Sequence, residues 1–87
     1  MPGLRFKAFE QEGRKLRLAE FTSEFREEDW CRKGHVGYVL EGEGELQFTE
    51  QAVLLKPGDG IFIPPGETHK HMLRVRGERL RVILVEE

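Results

Sequence analysis

Short segments in which apolar and polar residues alternate, separated by glycine and proline, constrain the fold of this chain most strongly. Successive side chains of a strand point to opposite faces, so a period of two indicates strands. Leu16 and Leu18 share one face of residues 15–21, and the last segment, residues 79–85, alternates in the same way. The pattern predicts an all-β protein.

Turn signals divide the rest of the chain into further strands. Residues 38–48 read as two apolar runs around the turn-prone residues 41–44, and residues 52–55 and 60–63 read as short strands ended by Gly- and Pro-rich turns. The one helix candidate is residues 22–30, where Ser23 could act as a cap; this segment is equally compatible with a charged strand end or a loop.

A chain of 87 residues has room for one domain, so residues 1–87 are expected to form a single domain. Many short strands at this length fit a small jelly-roll β-barrel better than an immunoglobulin-type sandwich, which needs roughly 100 residues. A domain this small usually requires a metal, a disulfide or a partner subunit for stability. A single cysteine excludes an internal disulfide, which leaves a metal or oligomerisation.

Composition and charge exclude some function classes. The net charge is −2 with both signs interspersed, which does not resemble the basic face of a nucleic-acid-binding protein. The first residues contain no apolar run long enough for a signal peptide or a membrane span, so a cytoplasmic location and no membrane partner are expected. The absence of asparagine and the 34% of charged residues favour a thermophilic source.

Three histidines and one cysteine occur in two short segments. Cys31 and His35 flank Gly34, which permits a tight turn, so they could face each other from adjacent strands. His69 and His71 are two apart, so one strand could point both inward. Imidazole and thiolate ligands suit zinc, iron, nickel or copper better than magnesium or calcium.

Residues 58–69 resemble the second conserved motif of the cupin superfamily. The spacing is a glycine, five residues, a proline, one residue, a glycine, two residues and a histidine, which here is His69. The motif ends in asparagine where this chain has Leu73. Residues 29–44 resemble the first cupin motif in part: counting back from Gly42, the position of the motif glutamate falls on His35, and the two motif histidines fall near Cys31 and Asp29.

The resemblance implies a small cupin-type barrel, with a first motif region at residues 29–44 and a second at residues 58–71. It implies a metal site made of Cys31, His35 and His69, with His71 or Asp29 as a fourth ligand. Because cysteine is a soft ligand, zinc is the first expectation, with iron, nickel, copper or manganese as alternatives. The departure from the usual set of histidines and a glutamate weakens any inference of oxygenase chemistry.

Each of these residues also has a simpler interpretation. Cys31 could be a small core residue or a nucleophile activated by His35, and His71 could be a half-exposed neighbour of the site. Asp29 lies in a run of charges that are usually solvated. Trp30 and Phe62 could line a ligand cavity or simply belong to the core. Glu67 is the one nearby carboxylate that could act as a general base.

Two functions therefore remain open. The first is a metal-binding cupin that binds, or binds and transforms, a small molecule in the barrel. The second is a non-catalytic ligand-binding or sensory module with no metal or with a purely structural one; a closed four-ligand site using His71 would favour this function. The pattern does not decide whether the protein is an enzyme. Apolar residues on both faces of residues 79–85 predict a homodimer.

Overall fold

The computed structural model describes residues 2–86 of the chain. Every regular element among them is a β-strand, apart from one short 3-10 helix, so the all-β prediction is confirmed. The strands are β1 (Leu4–Gln11), β2 (Arg14–Thr22), β3 (His35–Gln47), β4 (Ala52–Leu55), β5 (Gly60–Ile63) and β6 (Met72–Glu86), and the 3-10 helix is Glu67–His69.

All strand pairs are antiparallel, and two long strands organise the sheet. The order of strands is β1-β2-β6-β3-β4, and β5 pairs with the first residues of β3. β3 therefore bonds to β6 along most of its length while its two ends pair with β5 and β4. This arrangement is a jelly-roll-like barrel. Within the described part of the chain, no helix has the length and apolar character needed to cross a lipid bilayer.

The core consists of the inward-facing residues of these strands. Leu80, Val82 and Leu84 are all buried on one face of β6, as their alternation predicts. Ala19 and Phe21 of β2 are buried beside them, because β2 pairs with β6 in register. The opposite faces of both strands point outward. The core is thus the interior of the barrel, and the side chains on the inner faces of the strands fill it.

The first strand was not predicted from the sequence. β1 pairs with β2 through a two-residue turn in which Glu12 and Gly13 both have positive φ, of 52° and 80°. Positive φ at both central residues is typical of a type I′ turn, whose twist matches that of the two strands it joins. Leu4, Phe6 and Ala8 alternate with Arg5 and Lys7 as a strand requires, although most side chains of β1 are exposed.

One local prediction was wrong, and the structure decides between alternatives that were left open in another segment. Residues 41–44 do not form a turn: β3 continues through them, and its pairing with β6 shifts register on both sides of Gly42, which has a φ of 83°. The glycine signal therefore marks a β-bulge. Residues 22–30 were compatible with a helix, a charged strand end or a loop, and the structure has no helix there. They cross the barrel end as a loop, in which Phe25 is buried with its ring edge-on to Phe21, at 4.8 Å between centroids.

Candidate metal centre

Backbone pairing brings the cysteine-containing loop to the start of β6. Cys31 and His71 form an isolated antiparallel bridge, in which each backbone N–H donates to the other residue's carbonyl, at 2.8 and 3.0 Å. His35 is the first residue of β3, next to this bridge. The three side chains thus come from three different segments and face one another at the barrel end.

The ligand atoms of Cys31, His35 and His71 all lie within 4.8 Å of one another. Sγ of Cys31 lies 3.7 Å from Nε2 of His35. A tetrahedral zinc with bonds of about 2.3 Å to sulfur and about 2.0–2.1 Å to nitrogen separates two such atoms by about 3.6 Å. The cysteine–histidine pair therefore has the spacing of a metal site, and both its atom types are ligands of zinc and similar metals.

A hydrogen bond fixes the orientation of the His71 ring. Its Nδ1 lies 3.0 Å from the carbonyl oxygen of His69, and an N–H at Nδ1 is required to donate there. The other nitrogen, Nε2, then carries the free lone pair that a metal needs. The side chain is almost completely buried, at 3% exposure, so the prediction that His71 is half-exposed does not hold. Its ring lies edge-on to that of His35, at 5.2 Å between centroids.

The surroundings of His35 favour its neutral form. Burial lowers the pKa of His35, the neighbouring His71 lowers it further, and the carboxylate of Glu86 acts in the opposite direction. A metal binds imidazole only in the deprotonated form, so an imidazole that resists protonation is a better ligand at neutral pH.

His69 lies outside this cluster. It ends the 3-10 helix and its side chain is exposed, next to an outer groove that Phe62 also lines. The two-residue spacing predicted a common inward face for His69 and His71, but β6 begins only at Met72. The strand rule therefore does not apply at these positions. His69 contributes through its backbone carbonyl, which holds the His71 ring.

The other residues singled out in the sequence lie around the site but not at its centre. Phe62 is 78% exposed on the outer face of β5. Trp30 is half-buried beneath Lys70, whose Nζ lies 5.7 Å from the ring centroid. Neither residue lines the cavity at the centre. Asp29 lines its mouth, with the side chain 81% exposed.

Glu67 serves a structural role. Its carboxylate accepts hydrogen bonds from Arg32 and from Lys70, both at 2.6 Å, which tie the loop before β3 to the 3-10 helix. These two hydrogen bonds lower the pKa of Glu67 to about 2. A carboxylate with this pKa is a poor proton acceptor at neutral pH, so Glu67 is not suited to act as a general base.

The three clustered side chains face a cavity of about 330 Å³ inside the barrel. Its wall is mainly apolar and is formed by core side chains of β2, β5 and β6. Three charged residues that the sequence analysis did not single out also line it: Arg17, Glu27 and Glu28. Burial raises the pKa of Glu27, although its Oε1 accepts a hydrogen bond from the backbone N–H of Leu73 at 2.9 Å.

Comparison with known families agrees with this fold. The family described as Cupin domain matches residues 29–86, which is two thirds of the chain and includes all three clustered residues. The chain belongs to the cupin family. No curated protein matches it.

Solved structures similar to this cupin share its fold at low sequence identity. A protein of unknown function from Rhizobium leguminosarum has a TM-score of 0.81 and 16% identity, covering 99% of this chain and 82% of its own. A cupin-2 domain containing protein from Shewanella frigidimarina has a TM-score of 0.76 and 22% identity, with coverages of 94% and 78%. A cupin superfamily protein from Desulfitobacterium hafniense has a TM-score of 0.75 and 21% identity, with coverages of 98% and 77%.

Proposed function

We propose that this cupin binds a divalent transition metal through Cys31, His35 and His71 and holds a small molecule in the barrel cavity next to it. The observation that carries the proposal is the convergence of these three ligand atoms at the wall of an apolar cavity of about 330 Å³. Sites with three protein ligands and a remaining open position are typical of metals that act on a bound molecule.

Zinc is the metal that the ligand types favour, since thiolate and imidazole together suit a borderline-soft ion. A bound metal of this kind would supply a Lewis acid able to polarise an oxygen atom of the small molecule or a water. The chain's own residues supply the rest. The apolar wall excludes water from the bound molecule, and Glu27 offers a carboxyl group at the cavity surface.

Elemental analysis of the untagged protein tests the metal site. We expect close to one metal per chain in the wild type, and a loss of that metal in Cys31→Ser and in His35→Ala. Cys31→Ser is the more conservative of the two changes, because it keeps the size of the side chain. A wild-type protein that folds, contains no metal and gains none on dialysis against zinc would contradict the proposal and favour the metal-free binding module.

We also infer that the protein is a homodimer formed through the outer face of the sheet. Five exposed apolar side chains lie in one row across neighbouring strands, because the register pairs each with the next; in order they are Phe9, Leu16, Val85, Val36 and Phe62. Strands lie about 4.8 Å apart, so the row is about 20 Å long. Contiguous apolar surface of this kind commonly marks an interface between proteins.

Light scattering after gel filtration tests the homodimer. Val36 lies in the row between Val85 and Phe62 and is 49% exposed, so Val36→Glu is expected to give monomers. Val53→Glu is the matched control, because Val53 is similarly exposed, at 41%, but lies on β4 away from the row. A wild type that is monomeric at high micromolar concentration would contradict this inference.

A cytoplasmic location and a thermophilic source stay predictions. The free thiol of Cys31 agrees with a reducing compartment. A network of surface ion pairs agrees with stability at high temperature: on the outer face of the sheet, Glu20 contacts Arg5 at 2.8 Å and Arg81 at 3.8 Å, and Glu41 contacts Arg81 at 3.3 Å.

A further inference from the structure

The inner face of β6 contains one charged residue where its pattern leads one to expect an apolar side chain. Leu80, Val82 and Leu84 point into the barrel, and Glu86 is the next residue on that face. The side chain of Glu86 is only 17% exposed. Burying a carboxylate is costly unless it is paired and hydrogen-bonded, so its position requires partners in the interior.

Those partners are a histidine and an arginine, one on each carboxylate oxygen. Oε2 of Glu86 lies 3.4 Å from Nδ1 of His35, and Oε1 lies 3.1 Å from Nε of Arg17. Among the described residues, these same two nitrogens are the buried side-chain N or O atoms that have no hydrogen-bond partner of good geometry. Two nitrogens without a hydrogen-bond partner thus lie beside the two oxygens of one carboxylate, within a small displacement of bonding it.

Among the described residues, His35 is the histidine of the cluster whose Nδ1 has no hydrogen bond of good geometry. The His71 ring is held by a backbone carbonyl, whereas Nδ1 of His35 has Glu86 as its charged neighbour. The ring nitrogens of a ligating histidine depend on each other: a proton held on one leaves the other free for the metal. A carboxylate at this position is the usual device for orienting such a ring.

We propose that Glu86 is a positioning residue for His35. Its carboxylate accepts the Nδ1 proton, which leaves Nε2 unprotonated and directed toward the cavity, and Arg17 holds the carboxylate in place. The guanidinium of Arg17 is itself located by the ring of Phe6, whose centroid is 5.1 Å away. A residue more than fifty positions from His35 in sequence thereby sets its affinity for a metal. The inference rests on the proposed metal site.

Metal titration of the full chain tests the effect on affinity. Co²⁺ is the probe, because its visible absorption reports thiolate and imidazole coordination, and Zn²⁺ affinity follows by competition with a chelator. We expect Glu86→Ala to weaken binding 10- to 100-fold, the range usual for loss of such a partner. Glu86→Gln keeps an acceptor oxygen but loses the charge, so its loss is expected to be smaller. Glu43→Gln, an exposed carboxylate of β3, is the control and is expected to change affinity less than twofold.

Nitrogen NMR of the metal-free protein tests the contact itself. We expect His35 to be protonated at Nδ1 in the wild type and to become a mixture of both tautomers in Glu86→Ala, while His71, whose Nδ1 faces the His69 carbonyl at 3.0 Å, keeps its Nδ1 proton. A general loosening of the fold would change both rings. If the wild type binds metal and Glu86→Ala binds it equally well, the inference is overturned while the metal site stands. If the wild type binds no metal, the proposed function fails, and an Nδ1-protonated His35 that depends on Glu86 still supports the positioning role. A wild-type His35 protonated at Nε2 overturns it.

Discussion

Replacing His71 and His69 one at a time separates the candidate metal site that the structure brings together from the one that motif spacing implies. His71 is buried in the cluster with Cys31 and His35, whereas the side chain of His69 is exposed outside it. His71→Ala removes one of the three proposed ligands. His69→Ala removes no ligand and leaves intact the backbone carbonyl that orients the His71 ring.

The expected effect follows from the linkage between binding and folding. A metal present at 100 times its Kd stabilises the folded protein by about 2.7 kcal/mol. An unfolding entropy of about 2.1 cal/mol/K per residue gives about 0.18 kcal/mol/K for 87 residues, so Tm is expected to rise by about 15 °C. If loss of one ligand weakens binding about 100-fold, the same zinc concentration equals the new Kd. The gain is then about 0.4 kcal/mol, or about 2 °C.

The assay is thermal unfolding followed by circular dichroism, on protein stripped with a chelator and then measured with and without zinc. Each variant serves as its own reference, so a change in the stability of the metal-free His71→Ala protein does not affect the comparison. Wild type and His69→Ala are expected to gain about 15 °C, and His71→Ala about 2 °C. A shift that persists in His71→Ala and disappears in His69→Ala would refute the reasoning, because it would place the metal outside the barrel.

Three further predictions concern the fold. Leu80 has no exposed surface, so Leu80→Ala is expected to cost about 2–5 kcal/mol in urea unfolding; a cost below about 1 kcal/mol would mean that this part of the core is not closely packed. Gly42 has a φ of 83°, and a Cβ there would lie 2.0 Å from a carbonyl oxygen of β6, so Gly42→Ala is expected to lower the free energy of unfolding by at least about 1–3 kcal/mol. Gly60→Ala is the control and is expected to cost less, because the atom nearest to a Cβ there is 4.0 Å away. Equal costs would contradict the bulge. The pKa of Glu67 is lowered from 4.5 to about 2, so its contribution to stability is present above about pH 4.5 and is lost as the pH falls toward 2. Glu67→Gln is expected to make the urea midpoint depend less on pH over that range. An unchanged pH dependence would show that Arg32 and Lys70 do not stabilise this carboxylate in solution.

The barrel was largely predictable because strands leave a local signal. Alternation in β6 identified Leu80, Val82 and Leu84 as one buried face, and burial in the structure agrees with it. The one error and the one undecided segment arose where a local signal has two physical causes. Gly42 fits a turn or a bulge equally well, and the charges of residues 22–30 fit a helix or a loop; in both cases pairing with distant residues decided the outcome.

The candidate site was predictable in its atom types but not in its membership. Motif spacing implied that His69 is a ligand. Strand alternation allowed its side chain to point inward, but only if the strand had already begun at that residue. The structure instead brings His71 to Cys31 through an antiparallel bridge across forty residues of chain. Glu86 had a weak signal, as a charged residue at the fourth inward position of an apolar alternation, but its meaning depends on His35 and Arg17 lying beside it.

The sequence alone determined that the chain forms a barrel of β-strands and that its imidazole and thiol groups lie near strand ends, because alternation and turn residues act over a few neighbouring positions. Tertiary structure alone decided which of those groups meet. Their meeting depends on the register between strands far apart in the chain and on where β6 begins, and a shift of one residue in that register would turn each side chain to the opposite face of the sheet.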